Sequence, residues 1–512
     1  MDYNNLPKDK FVFAKREGKI ADKKLETKPI GSFRDAMRRF RKNKSSVAAA
    51  VIILILFLYA FIVPMASHYT IDDRDGYYKM LRPRSKLFSW LGWDGCMKQQ
   101  ESQAGYDYYG SIGFEYGQSA IRSVQGKEID ANTGNPIYQV YVDSYEVVGF
   151  TYVDLVKEEY EALKEYQSKT GIQVVYPMPA NYKTDFVAVT NGANLWYMLA
   201  DESDKTSGEA RDHDEEGRPI YVANYLKKSN KTYGQYDSIR LNIPGDGDDG
   251  QYYVYAVKNQ TGYHLRVLYK EYYRYVHGYS ADHLFGTNQH GQDIFVCLAY
   301  GARLSFLLAI CVSVINLFIG VIYGAIEGYY GGVADMIMER ITEILDGMPF
   351  IVVATLFQMH LSRKVGPVVS LIFAFVLAGW LGIAYRVRTQ FYRFKNQEYV
   401  LAARTLGASD KRLIFRHILP NSVGTIITGT VLIIPSVIFS ESMLTYLGIV
   451  NMETSGYTSV GTLLSHGQTY MSTNPHILLF PALFISLLEI AFNLFGNGLR
   501  DAFNPSLRGA DE

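Results

Sequence analysis

The sequence predicts an all-α polytopic membrane protein with six transmembrane helices and an α+β domain inserted between the first two. Three observations carry this expectation. Apolar blocks about 20 residues long, enough to span a bilayer as a helix, recur along the chain, the first of them free of charge. The 51 basic and 51 acidic side chains of the 512 residues balance overall but are sorted by region. The stretch 68–283 is polar, carries 31 acidic against 23 basic residues, and holds 29 of the 41 tyrosines. Overall neutrality also removes any general attraction to nucleic acid, and none is expected as a partner.

The elements follow in order. Residues 1–45 hold 14 Lys/Arg against 6 Asp/Glu and read as a basic cytoplasmic segment. Residues 46–66 form the first span. A cleavable signal peptide competes for that block, but its apolar run is only about 7–15 residues long and its basic region short. Later blocks cover 304–326, 341–361, 365–385, 425–450 and 477–499. The block 341–361 is the weakest, because Glu343 and Asp346 interrupt it. Six spans place both termini on one side, and lysine and arginine excess marks that side as cytoplasmic. Between the fourth and fifth spans, residues 386–417 hold eight Lys/Arg against Glu398 and Asp410, which agrees. The expected division is a cytoplasmic segment 1–45, a transmembrane helix 46–66 and an extracellular inserted domain 67–283. A helical core 284–500 follows, with a cytoplasmic loop 386–421, and then a cytoplasmic tail 501–512. The chain is expected in the cell membrane, surrounded by lipid.

Within the insertion, Val153–Lys169 has helical periodicity, with Leu155, Tyr160, Leu163 and Tyr166 near one face and Gly171 as a stop. The segment Tyr252–Tyr275 reads as a hairpin: YYVYAV, a KNQTG turn, then YHLRVLY. Tyrosine combines apolar area with a polar tip, so these residues suit a domain core, and a share of them suits partner binding. A lone Cys96 cannot staple this domain, while Cys297 and Cys311 lie in or near an apolar block. Asp246, Asp248 and Asp249 resemble a calcium loop only loosely, since Gly250 occupies the fifth position, and a solvated turn is expected. The ten histidines are scattered in sequence without a close ligand pair, so no metal is expected.

The loop from Glu398 to Asn421 reads as two short helices. Tyr399, Ala402, Ala403 and Leu406 make an i, i+3, i+4, i+7 stripe expected to be buried. Gly407 suits a left-handed cap, and Ser409 an N-cap for the second helix. Leu413, Ile414, His417 and Ile418 give that helix an inner face, and Pro420 is expected to stop it. Such a compact basic hairpin suits docking into a groove on another protein. The competing reading is an amphipathic hairpin lying on anionic lipid.

This loop resembles the EAA loop of membrane-spanning subunits of ATP-binding-cassette importers, specifically the oligopeptide/dipeptide permease family. The resemblance extends to FRDAMRRFRKNK (33–44), FGTNQHGQD (285–293), YGARLS (300–305), GYYGGVAD (328–335) and AFNLFGNGLRDAFNP (491–505). The chain departs from the pattern at Leu401, where the family has an acidic residue, at Gln292 and at Val460. The resemblance implies a type I ABC importer permease fold and import of short peptides. It also implies a second, homologous permease subunit, two cytoplasmic ABC ATPase subunits, and an extracellular substrate-binding protein. The loop residues Glu398, Tyr399, Ala402, Ala403, Leu406, Gly407, Ser409, Leu413, Ile414, His417 and Pro420 would then couple the pathway to the ATPases.

The chain contains no GxxxxGK[ST] phosphate-cradling loop, so it is expected to be no enzyme itself. No cofactor is expected on it directly, with ATP and Mg held by the partner ATPases. An ion-coupled secondary transporter is the alternative of another class. Its evidence would be intramembrane carboxylates, and Glu441 and Glu489 are the candidates, expected to face the pathway or the partner chain. Nickel, metal chelates or oligosaccharides are the alternative cargoes within the importer class.

Overall fold

The structure, a computed structural model, describes residues 32–503 apart from 113–115, 117, 132, 177, 182–186, 189–211, 214–218, 221–227, 234–235, 242–251, 259 and 454–455. The expected turn at Asp246, Asp248 and Asp249 lies outside the described residues, as do residues 1–31 and 504–512.

The first helix, α1 (Ser32–Lys42), is amphipathic, and Asp35 pairs with Arg39 one turn on at 2.9 Å. The apolar helix α2 (Lys44–Ala66) follows, its N-terminus capped by the Asn43 side chain. The region after α2 is α+β. Strands β1 (Cys96–Ser102), β2 (Ile121–Ile129) and β3 (Pro136–Asp143) form an antiparallel sheet in the order β1-β3-β2, covered by α3 (Gln103–Ile112). A second sheet joins β4 (Phe150–Leu155) and β5 (Val175–Tyr176) to two later strands, and α4 (Lys157–Thr170) packs on it. Short strands β6 to β12 lie between Met178 and Val254. They are followed by β13 (Ala256–Lys258), β14 (Tyr263–Leu268) and α5 (Tyr269–His277).

Two expectations for this region need correction. The helix expected from Val153 begins at Lys157, because Val153 and Leu155 pair in the β4–β14 ladder opposite Leu265 and Tyr263. Gly171 ends it as expected, in the left-handed conformation at φ +69°. The hairpin forms between β13 and β14, but Tyr252–Val254 pairs with two other strands. From Tyr269 the chain is helical, so the expected second strand is shorter than its alternation suggested. Tyr106, Tyr138, Tyr145, Tyr160, Tyr269 and Tyr273 are buried, so these tyrosines build the core. Burial, then the nearby carboxylates of Asp143 and Asp94, pushes the Cys96 thiol up to about 12.

The membrane-type helices come next: α6 (Ile294–Tyr330), α7 (Gly332–Asp346), α8 (Phe350–His360), α9 (Pro367–Gly379), α10 (Leu381–Phe394), α11 (Glu398–Thr405), α12 (Leu419–Thr430), α13 (Ile433–Tyr446), α14 (Val460–Thr469) and α15 (His476–Phe503). Among the described residues, five helical runs are long and apolar enough to cross a membrane: 44–66, 294–330, 367–394, 410–446 and 476–503. The pair α7 and α8 makes a sixth only if counted together across a 75° bend. The span expected over 341–361 is therefore broken. Proline cannot donate a helical hydrogen bond and pushes the residue before it out of the helical region, and here Gly347-Met348-Pro349 sits at the break.

A tight turn before α6 joins the α+β region to the helices. Asp293 caps α6, its Oδ1 accepting from Val296 N at 2.8 Å while Oδ2 meets His283 Nδ1 at 2.8 Å. Met80 N donates to Asn288 O at 3.0 Å and Thr287 N to Leu81 O at 3.1 Å, so this turn clasps the chain that leaves α2. Gly291 has φ +75°, and a Cβ there would strike the Asp75 carbonyl. Gly291→Ala is expected to combine that collision with backbone strain on the order of 1–3 kcal/mol. Hydrogen exchange should show faster loss of protection at Met80 and Thr287, with a lower thermal midpoint for the purified chain.

Candidate functional site

The loop after α10 is held to its own chain by one face only. Val400, Leu413 and Ile418 are fully buried beside Phe391, Val387 and Ala325. The expected buried stripe is corrected: Tyr399, Ala402 and Leu406 are exposed, Ala403 is half-buried, and Val400 does the anchoring. Leu406, the residue that caps α11, is 88% exposed. Glu398 and Leu401 are exposed beside it. The inner face expected for the second half holds for Leu413, Ile414 and Ile418, with His417 half-buried.

Gly407 adopts φ +80°, the left-handed turn its position required, and its N–H reaches Arg404 O at 3.0 Å. Ser409 takes the N-cap position in extended geometry, but its side chain makes no capping bond. Pro420 does not stop the helix. The segment Leu413–Ile418 widens to a π-turn and α12 continues through Pro420 in its first turn. A proline is tolerated in that first turn because its missing N–H is not needed there, and π-turns absorb the local mismatch.

Polar contacts fasten the loop to the end of α6. Tyr329 OH donates to Asp410 Oδ1 at 2.5 Å, and Arg404 lies 5.8 Å from the Tyr329 ring. Lys395 Nζ donates to Gly328 O at 2.9 Å, and Asn421 Nδ2 to Tyr399 OH at 3.2 Å. Beneath them is a charge cluster that sequence reasoning missed. Arg388 forks onto Asp335 at 2.6 and 2.9 Å and onto Glu339 at 2.8 and 3.0 Å, with buried Glu327 3.5 Å away. Its members come from α6, α7 and α10. The GYYGGVAD stretch contained one of them, Asp335, without pointing to Arg388.

The two intramembrane carboxylates differ. Glu441 is 1% exposed and accepts hydrogen bonds from Ser305 Oγ at 2.9 Å, Thr445 Oγ1 at 3.1 Å and Ser442 Oγ at 3.4 Å. It is enclosed between α6 and α13 within this chain instead of facing an opening, and hydroxyl donors replace the cation it lacks. Glu489 on α15 is half-buried, with Oε1 buried and unpartnered.

At the other end of the bundle, near the α6 turn, three side chains converge that the sequence scattered. His290, Glu453 and His466 place one ligand-type atom each within 4.8 Å of one another. His466 Nε2 lies 3.4 Å from Glu453 Oε1, and its Nδ1 meets Gln289 Nε2 at 2.8 Å. Burial, then the positive charge of Arg74, lowers the pKa of His290. No linear spacing could signal this group, because it joins a turn, a loop and a helix far apart in the chain.

Sequence comparisons bear on the family to which the chain belongs. Residues 316–509 match the family described as binding-protein-dependent transport system inner membrane component. Residues 31–83 match the N-terminal TM domain of oligopeptide transport permease C. The chain is 43% identical over 230 residues to the dipeptide transport system permease protein DppC of Bacillus subtilis (strain 168), spanning 45% of this chain and 70% of that protein. It is 42% identical over 229 residues to the oligopeptide transport system permease protein OppC of the same organism, spanning 45% and 73%. Against OppC of Escherichia coli (strain K12) identity is 37% over 227 residues, spanning 44% and 73%. A solved structure of the MetNI methionine ABC transporter in inward-facing conformations has a TM-score of 0.33 at 15% identity, covering 41% of this chain and 96% of that one.

The chain is thus a multi-pass membrane component of a binding-protein-dependent transport system. Within that class it belongs to the oligopeptide/dipeptide permease family. Residues 84–315 lie between the two family matches.

Arg388, Asp335 and Glu339 are partly buried, so solvent screens their pairing, but removing Arg388 leaves buried Glu327 beside two further carboxylates without a counter-charge. Arg388→Met should lower the thermal midpoint of the chain in nanodiscs by that mechanism. Arg388→Lys should recover only part of the loss, because an ammonium cannot fork onto Asp335 and Glu339 together.

Proposed function

We propose that this chain is the membrane-spanning subunit of an ATP-driven importer of short peptides, forming half of the translocation pathway. Peptide cargo rests on family membership and on the relatives' stated roles. A second, homologous permease would supply the other half. Two cytoplasmic ABC ATPases would hold ATP and Mg, and an extracellular binding protein would deliver cargo. Six spans, with α7 and α8 as one bent crossing, put both termini and the loop 386–421 in the cytoplasm. Residues 67–283 then stand outside, where their acidic excess is tolerated.

The observation that carries coupling is the exposure of the loop's outer face. Glu398, Tyr399, Leu401, Ala402 and Leu406 are exposed on a helix whose other face is anchored through Val400. An anchored hairpin with an uncovered apolar tip fits a groove on an ATPase. Tyr329 of α6 bonds to Asp410 of the loop, and Lys395 at the loop's start bonds to the Gly328 carbonyl of α6, so a push on the hairpin would act on the end of α6. Leu413, Ile414 and half-buried His417 support the hairpin from its inner side, while Ser409 and Pro420 are exposed where the loop turns and re-enters the helix. Glu489, with a buried unpartnered oxygen, remains the pathway or partner-facing carboxylate in this reading, whereas Glu441 serves the packing of α6 on α13.

Gly407→Val tests the coupling assignment. Space around the added side chain is open, so its cost is backbone strain at φ +80°, on the order of 1–3 kcal/mol, released by turning the hairpin tip. Uptake and transport-stimulated ATP hydrolysis should fall together in the reconstituted complex while the chain still inserts. Full coupled activity in this variant would remove the loop from the mechanism.

A further inference from the structure

We propose that His290, Glu453 and His466 form a binding site for a divalent transition metal, with Zn2+ the best match, tying the turn before α6 to α14. The site goes beyond peptide import and involves none of the coupling residues.

The geometry carries the assignment. In a tetrahedral zinc site with nitrogen and oxygen ligands at about 2.0–2.2 Å, neighbouring ligand atoms stand roughly 3.3–3.5 Å apart. His466 Nε2 and Glu453 Oε1 are already 3.4 Å apart, and the His290 ligand atom lies within 4.8 Å of both. A small rotation of the His290 imidazole would close the triangle, leaving a fourth position for water. His290 sits on the turn before α6, Glu453 on a 3-10 turn and His466 on α14, so the metal would tie the turn before α6 to a part of the chain more than 150 residues away.

Gln289 supplies an independent observation. Its Oε1 is buried without a partner, while its Nε2 faces His466 Nδ1 at 2.8 Å. Amide oxygen and nitrogen are interchangeable by a half-turn. Turned, Oε1 accepts from Nδ1–H, which leaves the lone pair of Nε2 pointing at Glu453 and His290. A carbonyl behind the distal nitrogen is the usual support for a metal-bound histidine.

Charge and ligand type select the ion. Arg74 and Lys79 act on His290 and oppose any cation, so affinity must come from coordination bonds and not from net negative charge. Two imidazoles and one carboxylate suit Zn2+, whereas Mg2+ and Ca2+ prefer oxygen ligands throughout.

The test uses the full chain in nanodiscs without partner subunits or ATP, so failure of the importer reading leaves it intact and the reverse also holds. Zn2+ affinity is measured by competition with a chromophoric chelator, and Co2+ absorption reports the geometry. One Zn2+ per chain is expected, with a tetrahedral Co2+ spectrum and no competition from Mg2+. His290→Ala, His466→Ala and Glu453→Gln should each weaken Zn2+ binding at least tenfold, and Gln289→Leu by about 10–100-fold, the loss usual for an outer-shell partner. Thermal midpoints without metal separate lost ligands from lost fold, and exposed Glu453 is the variant least expected to disturb packing. Zn2+ affinity unchanged in folded Glu453→Gln and His466→Ala, or no saturable binding to the intact chain, overturns the proposal.

Discussion

The close approach of α6 and α10 is the constraint from which the loop-bearing half of the helical bundle follows. Gly320, Gly324 and Gly328 recur every fourth residue on one face of α6. A Cβ at Gly320 would lie 2.7 Å from the Ile383 Cβ and 2.9 Å from the Trp380 carbonyl, and one at Gly328 would lie 2.7 Å from the Arg388 carbonyl. At Gly324 it would strike the Ala384 carbonyl. In lipid, helices gain little from burying apolar area against each other, so small residues that admit a neighbouring backbone set where helices meet. The glycine ridge provides such a place.

Contact along that ridge fixes the charges beyond it. Because α10 lies against α6 at Gly328, Arg388 arrives beside Glu327 and can fork onto Asp335 and Glu339 of α7. The same approach puts Lys395 on the Gly328 carbonyl and Phe391 beneath Val400. The loop therefore inherits its orientation from helix packing, and its own sequence needs to supply only the Gly407 turn and an apolar tip. Tyr329–Asp410 and the Arg388 cluster are short polar links that join the loop and α10 to α6 and α7.

Much of this was legible in the residues. Apolar block length located every long helix, because a span must reach across hydrocarbon whatever its neighbours do. The loop's Gly407 turn and the inner residues Leu413, Ile414 and Ile418 were readable from local periodicity. The failures have a common cause in contacts made elsewhere. The stripe Tyr399, Ala402, Ala403 and Leu406 has the spacing of a buried face, yet Val400 is the residue that meets Phe391 and Leu413. Val153–Leu155 continues the helical pattern of α4 but is claimed by strand pairing with Tyr263–Leu265. Pro420 reads as a stop, and a π-turn accommodates it. The Arg388 cluster and the His290, Glu453 and His466 group join residues from separate elements, and linear spacing carries no trace of either. Glu441 was visible as an intramembrane carboxylate, but its hydroxyl partner on another helix, Ser305, was not.

The central claim is that the uncovered tip of the loop meets the ATPase while its base stays fixed to α6. Photo-crosslinking from position 406 in the reconstituted complex, with position 400 as the buried control, tests it most directly. The account predicts an adduct with the ATPase subunit from position 406 whose yield changes when ATP binds, and only intrachain adducts from position 400. Equal ATPase adducts from both positions, or adducts from position 406 with lipid alone, would contradict it.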